Sequence, residues 1–493
     1  MTDQRSPLAR RATRRGLLKT TAALGALGAL SQLLAACGGS DSAASTAAPT
    51  SPSGAATPSG AAGLSDEQVR AILAKRIDEE KRGVGIVVGR IGPDGRSVVS
   101  HGLTRAGGPP VGADTLFEIG SVTKTFTGAA LAAMIAKGEV AADDPIATLL
   151  PKGTRVPERN GAKIALRHLV SHISGLPRLP DGFTPPDITN PYADYSVDDL
   201  YAFLARYELP RDIGAEYEYS NLGMGLLGHG LALRAGTDYE RLIKERIAGP
   251  LGMKDTMITL DPAKPIATGH DEGGDAAPYW DIPSLAGAGA LRSTANDLVA
   301  FLAANLGLAQ SDLMPALQST HAPQHTISPE LKIGMAWHIT PRPEGDLVWH
   351  NGGTGGFVSF IGFDAKRRTG VVVLSNRAIS VDDIGFHLLD PSRPLDAPPK
   401  PHVRAEVDPQ ILARYVGEYE LAPDFILTVK AQQGALIVQA TGQGPLLAYP
   451  ESETSFFLSD VDAQLTFDVD GAGKATAVTL HQGGQNMPGK KIK

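Results

Sequence analysis

The apolar residues of this chain change period along its length, and the order of those changes limits its fold more than any other feature. Val69, Ile72, Leu73 and Ile77 recur at helical spacing and predict an amphipathic helix over residues 64–81. Residues 85–101 predict a β-hairpin with strands at Ile86-Val87-Val88 and Ser97-Val98-Val99, turned by Gly92-Pro93-Asp94-Gly95. Helical patterns then dominate residues 122–308, and strand patterns return at 347–350, 357–363 and 370–374. Strands at both ends with helices between imply one sheet built from the two chain ends and covered by a helical region, an α+β arrangement.

Residues 390–401 carry five prolines, Pro391, Pro394, Pro398, Pro399 and Pro401. Residues 391–405 read as a stiff linker that ends a folded body at 64–390. Beyond it the period is two. Phe425-Ile426-Leu427-Thr428-Val429, Ala435-Leu436-Ile437-Val438, Gln464-Leu465-Thr466-Phe467 and Ala477-Val478-Thr479-Leu480 predict short strands, punctuated by Gly434, Gly442, Gly471 and Gly473. Residues 406–493 are therefore expected to form a small antiparallel barrel or sandwich.

The N-terminal region has a different character. Six basic side chains and one acid, Asp3, precede Cys37. Thr13-Arg14-Arg15-Gly16-Leu17-Leu18-Lys19 resembles a twin-arginine export signal, with Leu17 where Phe is usual. Residues 20–36 are largely apolar, and Leu34-Ala35-Ala36-Cys37 resembles a lipobox, which implies lipidation of Cys37 as the first mature residue. Read instead as a transmembrane helix, the stretch is barely long enough and too rich in Gly and Ala. Several acyl chains on one terminus anchor firmly where a single chain is marginal. Of residues 38–63, 25 of 26 are Gly, Ala, Ser, Thr or Pro, which is a flexible tether. The expectation is an exported, membrane-anchored lipoprotein facing the periplasm or cell exterior.

Cys37 is the one cysteine, so an internal disulfide framework and a Cys-built zinc site are excluded. A mean hydropathy of −0.07 excludes a polytopic membrane protein. The net charge is −7, and near −12 once the residues before Cys37 are removed. A body this acidic repels a phosphate backbone, which argues against a nucleic-acid partner.

Three short segments carry candidate chemistry. Gly120-Ser121-Val122-Thr123-Lys124 sets a hydroxyl and an amine three residues apart on one helix face. A serine hydroxyl needs a nearby base, and lysine can serve when burial lowers its pKa. The same spacing fits an ordinary helix start with Ser121 as N-cap and Lys124 solvated. Tyr219-Ser220-Asn221 offers a phenol to shuttle protons and an amide to orient a carbonyl, or a structural turn. His350-Asn351-Gly352-Gly353 follows the apolar Leu347-Val348-Trp349; glycine there lets a ligand approach the backbone, or closes a turn.

In order and spacing these three segments resemble the elements of the penicillin-recognising serine hydrolases: Ser-x-x-Lys, Tyr-x-Asn and a Lys- or His-x-Gly strand. That family includes class C β-lactamases, D-alanyl-D-alanine carboxypeptidases, D-aminopeptidases and β-lactamase-like esterases. His168-Leu169-Val170-Ser171-His172-Ile173-Ser174-Gly175-Leu176, Pro250-Leu251-Gly252-Met253-Lys254-Asp255-Thr256 and Gly287-Ala288-Gly289-Ala290-Leu291-Arg292-Ser293-Thr294-Ala295-Asn296-Asp297-Leu298 resemble supporting segments of the same family. Thr294 and Asp297 are expected to form a capping box.

The resemblance covers residues 64–390. It implies a β-lactamase/transpeptidase-like α/β sandwich with an antiparallel sheet and a helical region. It implies Ser121 as nucleophile, with Lys124 as its proton acceptor working with Tyr219. Asn221, His350 and Gly352 would meet the substrate, and the backbone amides of Ser121 and Gly353 would form the oxyanion hole. His350 could hydrogen-bond Tyr219 or meet a substrate carboxylate. No cofactor and no metal are implied. His350 stands where true β-lactamases carry lysine, which favours a peptidase on D-amino-acid peptides or an esterase on small acyl esters. A non-catalytic binder of wall fragments would usually have lost one of these groups. Tyr415-Val416-Gly417-Glu418-Tyr419 and Leu480-His481-Gln482-Gly483-Gly484 resemble lipocalin-like barrels found behind some members.

Other patterns carry less. His168 and His172 are spaced for zinc, but no third ligand lies nearby. Gly223-Met224-Gly225-Leu226-Leu227-Gly228 matches a dinucleotide fingerprint without a preceding strand, so close helix packing is expected. No Gly-x-Ser-x-Gly elbow exists, which excludes an α/β-hydrolase. Tyr279, Trp280 and Trp349 could line a cleft or fill the core.

Overall fold

Strands from both ends of the body share one antiparallel sheet, as the periodicity implies. The structure, a computed structural model, describes residues 63–493 apart from 182, 399–401, 424, 433, 442, 459–462 and 483–484. The export signal, Cys37, the tether through residue 62, Pro399, Pro401, Gly442, Gly483 and Gly484 lie outside the described residues. Among the described residues, no helix is long and apolar enough to cross a membrane.

The hairpin is β1 (Gly85–Gly92) and β2 (Gly95–Gly102), with Val88 opposite Val99 and Gly92 opposite Gly95 across Pro93-Asp94. The later strands are β3 (His325–Ser328), β4 (Leu331–Ile333), β5 (His338–Thr340), β6 (Leu347–Gly353), β7 (Val358–Asp364) and β8 (Thr369–Ser375). Their order across the sheet is β2-β1-β8-β7-β6-β5-β4-β3. The three strands β3 to β5 are absent from the sequence reading. They are three or four residues long, and a bulge at Leu331/Lys332 breaks their register, so no alternation has room to emerge.

The sheet is covered on both faces, as period-two strands with few polar positions require. Val88, Val99, Trp349, Phe360 and Val373 pack on one side with Val69 and Leu73 of α1 (Asp66–Ala74). Val87, Val348, Ile361, Phe363, Val372 and Leu374 face the larger helical core. Ser65 caps α1 through a reciprocal box with Gln68, which explains where that helix begins.

The centre of the helical region is α2 (Thr123–Ala136), buried along nearly its whole length. A helix with no polar face belongs in a core. It is accompanied by α3 (Asn221–Ala235) and α4 (Ala295–Asn305). A side chain at Gly228 would approach Gly287 Cα at 2.8 Å, so the glycines of α3 serve close helix packing. The expected capping box on α4 is only half formed. Thr294 Oγ1 accepts from Asp297 N at 3.1 Å, but the Asp297 carboxylate turns away. It accepts from Asp255 N at 2.8 Å and Thr256 Oγ1 at 2.9 Å, which fastens the Pro250–Thr256 segment to α4. Two donors from a neighbouring loop outcompete one N-cap amide. Below the sheet, α5 (Asp382–Leu389) contributes Ile384 and Phe386 to the core it shares with α1.

Behind the body, β9 (Gly417–Ala422), β10 (Phe425–Gln432), β11 (Ala435–Ala440), β12 (Pro445–Pro450), β13 (Ser455–Leu458), β14 (Ala463–Val469), β15 (Ala475–Gln482) and β16 (Gln485–Lys491) close into an eight-stranded antiparallel barrel. Its own apolar cluster includes Tyr419, Leu436, Phe456, Leu465, Phe467 and Val478. Pairing of Tyr419 with Lys491 joins the first strand to the last and decides barrel over sandwich.

Candidate active site

Ser121 lies in a single 3-10 turn, Gly120–Val122, that runs directly into α2. Gly120 adopts φ +48°, and any side chain there would meet Gly353 N at 2.7 Å. A side chain at Gly352 would likewise collide with Ile119 O. Ser359 Oγ on β7 donates to Ile119 O at 2.8 Å. The end of β6 is thus pressed along the turn, which brings the Ser121 and Gly353 backbones together. Ser121 is half-buried and Gly353 exposed, so this junction opens to solvent.

The approach to the turn is fixed by a buried ion pair. Phe117–Glu118 pairs with Arg292–Ser293, and Arg292 Nη2 donates to Glu118 Oε1 at 2.9 Å. Glu118 also accepts from Trp280 N at 2.9 Å. Burial pushes its carboxyl up, opposed by the Arg292 charge and these hydrogen bonds. A pair this enclosed is more a positioning device than a source of net stability.

Lys124 is fully buried. Its Nζ stands 2.9 Å from Ser121 Oγ, 2.8 Å from Asn221 Oδ1 and 2.7 Å from Ala288 O. Burial, then the charge of Arg178, lowers its amine well below the usual lysine range. A neutral amine has two N–H groups and one lone pair. Ala288 O can only accept, and so can Asn221 Oδ1, so they take both N–H groups. The lone pair is left facing Ser121 Oγ. In that state the serine O–H donates to Lys124 Nζ, whereas a protonated amine donates to Ser121 Oγ.

Tyr219 is half-buried, with its ring centroid 4.7 Å from Lys124 Nζ. Burial pushes its phenol up to about 12, against the opposing effects of Arg178 and a hydrogen bond to Ser121. At neutral pH it is a proton-bearing phenol, and it is Lys124 whose burial favours the free base. Asn221 opens α3 behind the Ser220 cap, whose Oγ accepts from Gly223 N at 2.8 Å. Its Nδ2 donates to Tyr192 OH at 3.1 Å.

Three imidazoles surround this group. His172, at φ +58°, lies 4.6 Å ring to ring from Tyr219, and its Nδ1 accepts from Ser220 N at 3.1 Å. His338 Nε2 is 3.2 Å from Tyr217 OH. His350 is 1 % exposed, and its Nδ1 sits 2.5 Å from Asn351 O, which makes Nδ1 the protonated nitrogen. Burial pushes all three down, His338 to about 4, so each is neutral at neutral pH. Of the two roles open to His350, the hydrogen bond to Tyr219 is not formed: the rings stand 6.2 Å apart and His350 Nε2 has no partner among the described residues.

Of the aromatic candidates, Trp280 flanks the site. Its Nε1 donates to Thr189 O at 2.9 Å, its ring lies 5.5 Å from Tyr192, and Gly355 passes beside it. Trp349 is core, 3 % exposed and packed against Phe386. Tyr279 stacks on Phe357, with its hydroxyl donating to Ala267 O at 3.1 Å. His168 accepts from Ala165 N at 3.0 Å to cap its own helix and does not join His172 in a ligand set. Among the described residues, no group of three His, Cys, Asp or Glu is gathered to hold a metal ion.

Sequence reasoning missed Arg178, Tyr192 and the Ala288 carbonyl. A backbone oxygen leaves no mark in a sequence, and an arginine two residues past Gly175-Leu176 reads as a solvated loop charge.

The chain matches the Beta-lactamase family over residues 69–386 and a domain of unknown function (DUF3471) over 401–491. It is similar to the D-alanyl-D-alanine-carboxypeptidase/endopeptidase AmpH of Escherichia coli (strain K12), 30% identical over 57% of this chain and 76% of that protein. Penicillin-binding protein 4* of Bacillus subtilis (strain 168) is 26% identical over 78% of this chain and 89% of its own. Among solved structures, a beta-lactamase/D-alanine carboxypeptidase from Pseudomonas syringae superimposes with a TM-score of 0.59 at 22% identity, covering 67% of this chain and 99% of the other. A class C beta lactamase from Rhodobacter sphaeroides gives 0.54 at 26% identity, over 63% of this chain and 94% of its own.

Proposed function

Because the chain belongs to the beta-lactamase family and is a serine hydrolase, we propose that it cleaves D-amino-acid peptides of the cell-wall kind through an acyl-enzyme on Ser121. One observation carries the assignment of the base: both N–H groups of a neutral Lys124 are taken by Asn221 and Ala288, leaving its lone pair for the serine proton. As Ser121 Oγ attacks the carbonyl carbon, its proton passes to Lys124 Nζ. The oxyanion is held by the amides of Ser121 and Gly353, worth several kcal/mol when such donors are fixed in advance. The Tyr219 hydroxyl, kept protonated by burial beside Lys124, gives its proton to the departing amine and regains one from Lys124. Water then attacks the ester carbonyl, losing its proton to Lys124, which passes it to Ser121 Oγ as the acyl C–O bond breaks, so the acid departs and both the serine hydroxyl and the neutral amine are restored.

The printed name of the Escherichia coli relative supports the peptide reading. So does neutral His350, which lacks the charge of a lysine at that place. An esterase acting on small acyl groups is the second reading, favoured by the same neutral position. Labelling Ser121 with a fluorescent penicillin, then comparing kcat/KM on a peptide ending in D-Ala-D-Ala and on a short-chain p-nitrophenyl ester, separates them. Fast ester turnover with no peptide cleavage would overturn the peptidase reading.

Cys37 is, in this reading, a lipid anchor reached through twin-arginine export, with residues 406–493 forming a separate folding unit. Cys37→Ser is expected to move the protein from the membrane fraction to the soluble one. Retention in the membrane would point to an uncleaved helix.

A further inference from the structure

Around the serine, lysine and tyrosine, the nearby cations have partners, with one exception. Arg292 is bound to Glu118 at 2.9 Å and Arg211 to Glu218. Arg178 is half-buried with its guanidinium carbon 5.2 Å from the Tyr219 ring centroid. Among the described residues its guanidinium meets no carboxylate and no hydrogen-bond acceptor. Its backbone is firmly held, because Arg178 O accepts from Asn221 N at 3.0 Å and Leu222 N at 3.2 Å. The preceding carbonyl, Pro177 O, accepts from Ser220 Oγ at 2.6 Å. On the other side Leu179 is buried, with the barrel residue Gly444 against it. The loop is thus pinned from both directions, which keeps the root of the Arg178 side chain beside the site.

A guanidinium partly withdrawn from water and left unpaired is unfavourable unless a ligand completes it. Its planar fork matches a carboxylate, with two parallel N–H···O bonds. His350, by contrast, is 1 % exposed and offers no charge. Resting on the serine-hydrolase reading above, we propose that Arg178 binds a carboxylate of the substrate, so that the enzyme selects acyl compounds carrying a negative charge close to the bond it cleaves. The carboxylate can belong to the acyl half or to the leaving half, and both place the same chemistry over Tyr219.

Two matched pairs of activated esters test this. In one, the acyl half is succinate or its monomethyl ester on p-nitrophenol. In the other, butyrate is carried on 4-hydroxybenzoate or on its methyl ester. The quantity read is the kcat/KM ratio of the charged to the neutral member, per active site titrated with a neutral fluorophosphonate. In at least one pair, the wild-type ratio is expected to exceed that of Arg178→Gln by about tenfold, the scale of a charge-assisted pair. Arg178→Lys should keep part of it, because charge remains while the fork is lost. The wild-type ratio should also fall as salt is raised from ~0.05 to ~0.5 M. The pair that responds locates the carboxylate. A ratio unchanged by Arg178→Gln in both pairs overturns the proposal. An equal fall for charged and neutral members, leaving the ratio intact, overturns it too, since Arg178 would then act only through Lys124 and Tyr219. Failure of the fluorophosphonate to label Ser121 would instead sink the hydrolase reading beneath it.

Discussion

Ser121→Ala is expected to lower turnover by roughly 10⁶-fold, the scale seen when a nucleophile is removed from a cooperating group. The loss is chemical, because the fold does not depend on this oxygen. Lys124 keeps its bonds to Asn221 Oδ1 and Ala288 O without it. The turn itself is held by contact of Gly120 and Gly352 with neighbouring backbone and by the bond from Ser359 to Ile119 O. The melting temperature should therefore stay within a few degrees of wild type while acylation by penicillin disappears. Residual hydrolysis within tenfold of wild type would remove Ser121 from the centre of the mechanism.

Lys124→Met should cost on the order of 10³–10⁴-fold in turnover, toward the upper range for a general base, and should also change how stability depends on pH. The sign follows from the direction of the shift. Burial holds the Lys124 amine well below its ordinary value in the folded chain, whereas the unfolded chain returns it to about 10.4. Between those two values the unfolded state binds the extra proton, so folding is favoured as pH rises through that window. Below the folded value both states are protonated and the contribution is flat. The unfolding free energy of wild type minus that of Lys124→Met is thus expected to increase with pH by up to about 1.4 kcal/mol per unit inside the window. Denaturant titrations at several pH values measure it. A difference that stays level from neutral pH to pH ~10 would mean that the buried amine keeps its proton, and the base would have to be sought elsewhere. The acid limb of kcat/KM belongs to the same group. It should move to higher pH in Arg178→Gln, since the Arg178 charge is one of the two causes that hold the amine down.

Much of the architecture was present in local patterns. Apolar alternation in β1, β2, β6, β7 and β8, helical spacing in α1 and the change of period after the prolines each reflect which face of an element is buried, and burial is written residue by residue. The short strands β3 to β5 at one end of the sheet escaped because three or four residues with a bulge hold too little alternation to read. Four barrel strands escaped for a related reason. Pro445, Ser455 and the polar run of β16 do not look like strands until neighbours supply their hydrogen bonds.

Ser121, Lys124, Tyr219 and Asn221 could be named from the chain alone, because helix geometry sets Ser121 and Lys124 on one face and the three segments recur in order. The sequence could not say which of lysine and tyrosine is unprotonated. That depends on how completely each is buried and on which acceptors surround the amine, one of them the Ala288 carbonyl far along the chain. Nor could it separate Arg178 from any other loop arginine. Its closeness to Tyr219 arises from backbone bonds to the start of α3 more than forty residues later. Local burial pattern and residue type are properties of short stretches, so the sequence by itself determined the sheet, the barrel region and which side chains are candidates for the chemistry. Protonation, charge pairing and the open coordination of a cation are sums over atoms brought close from distant segments, and only the tertiary structure decided them.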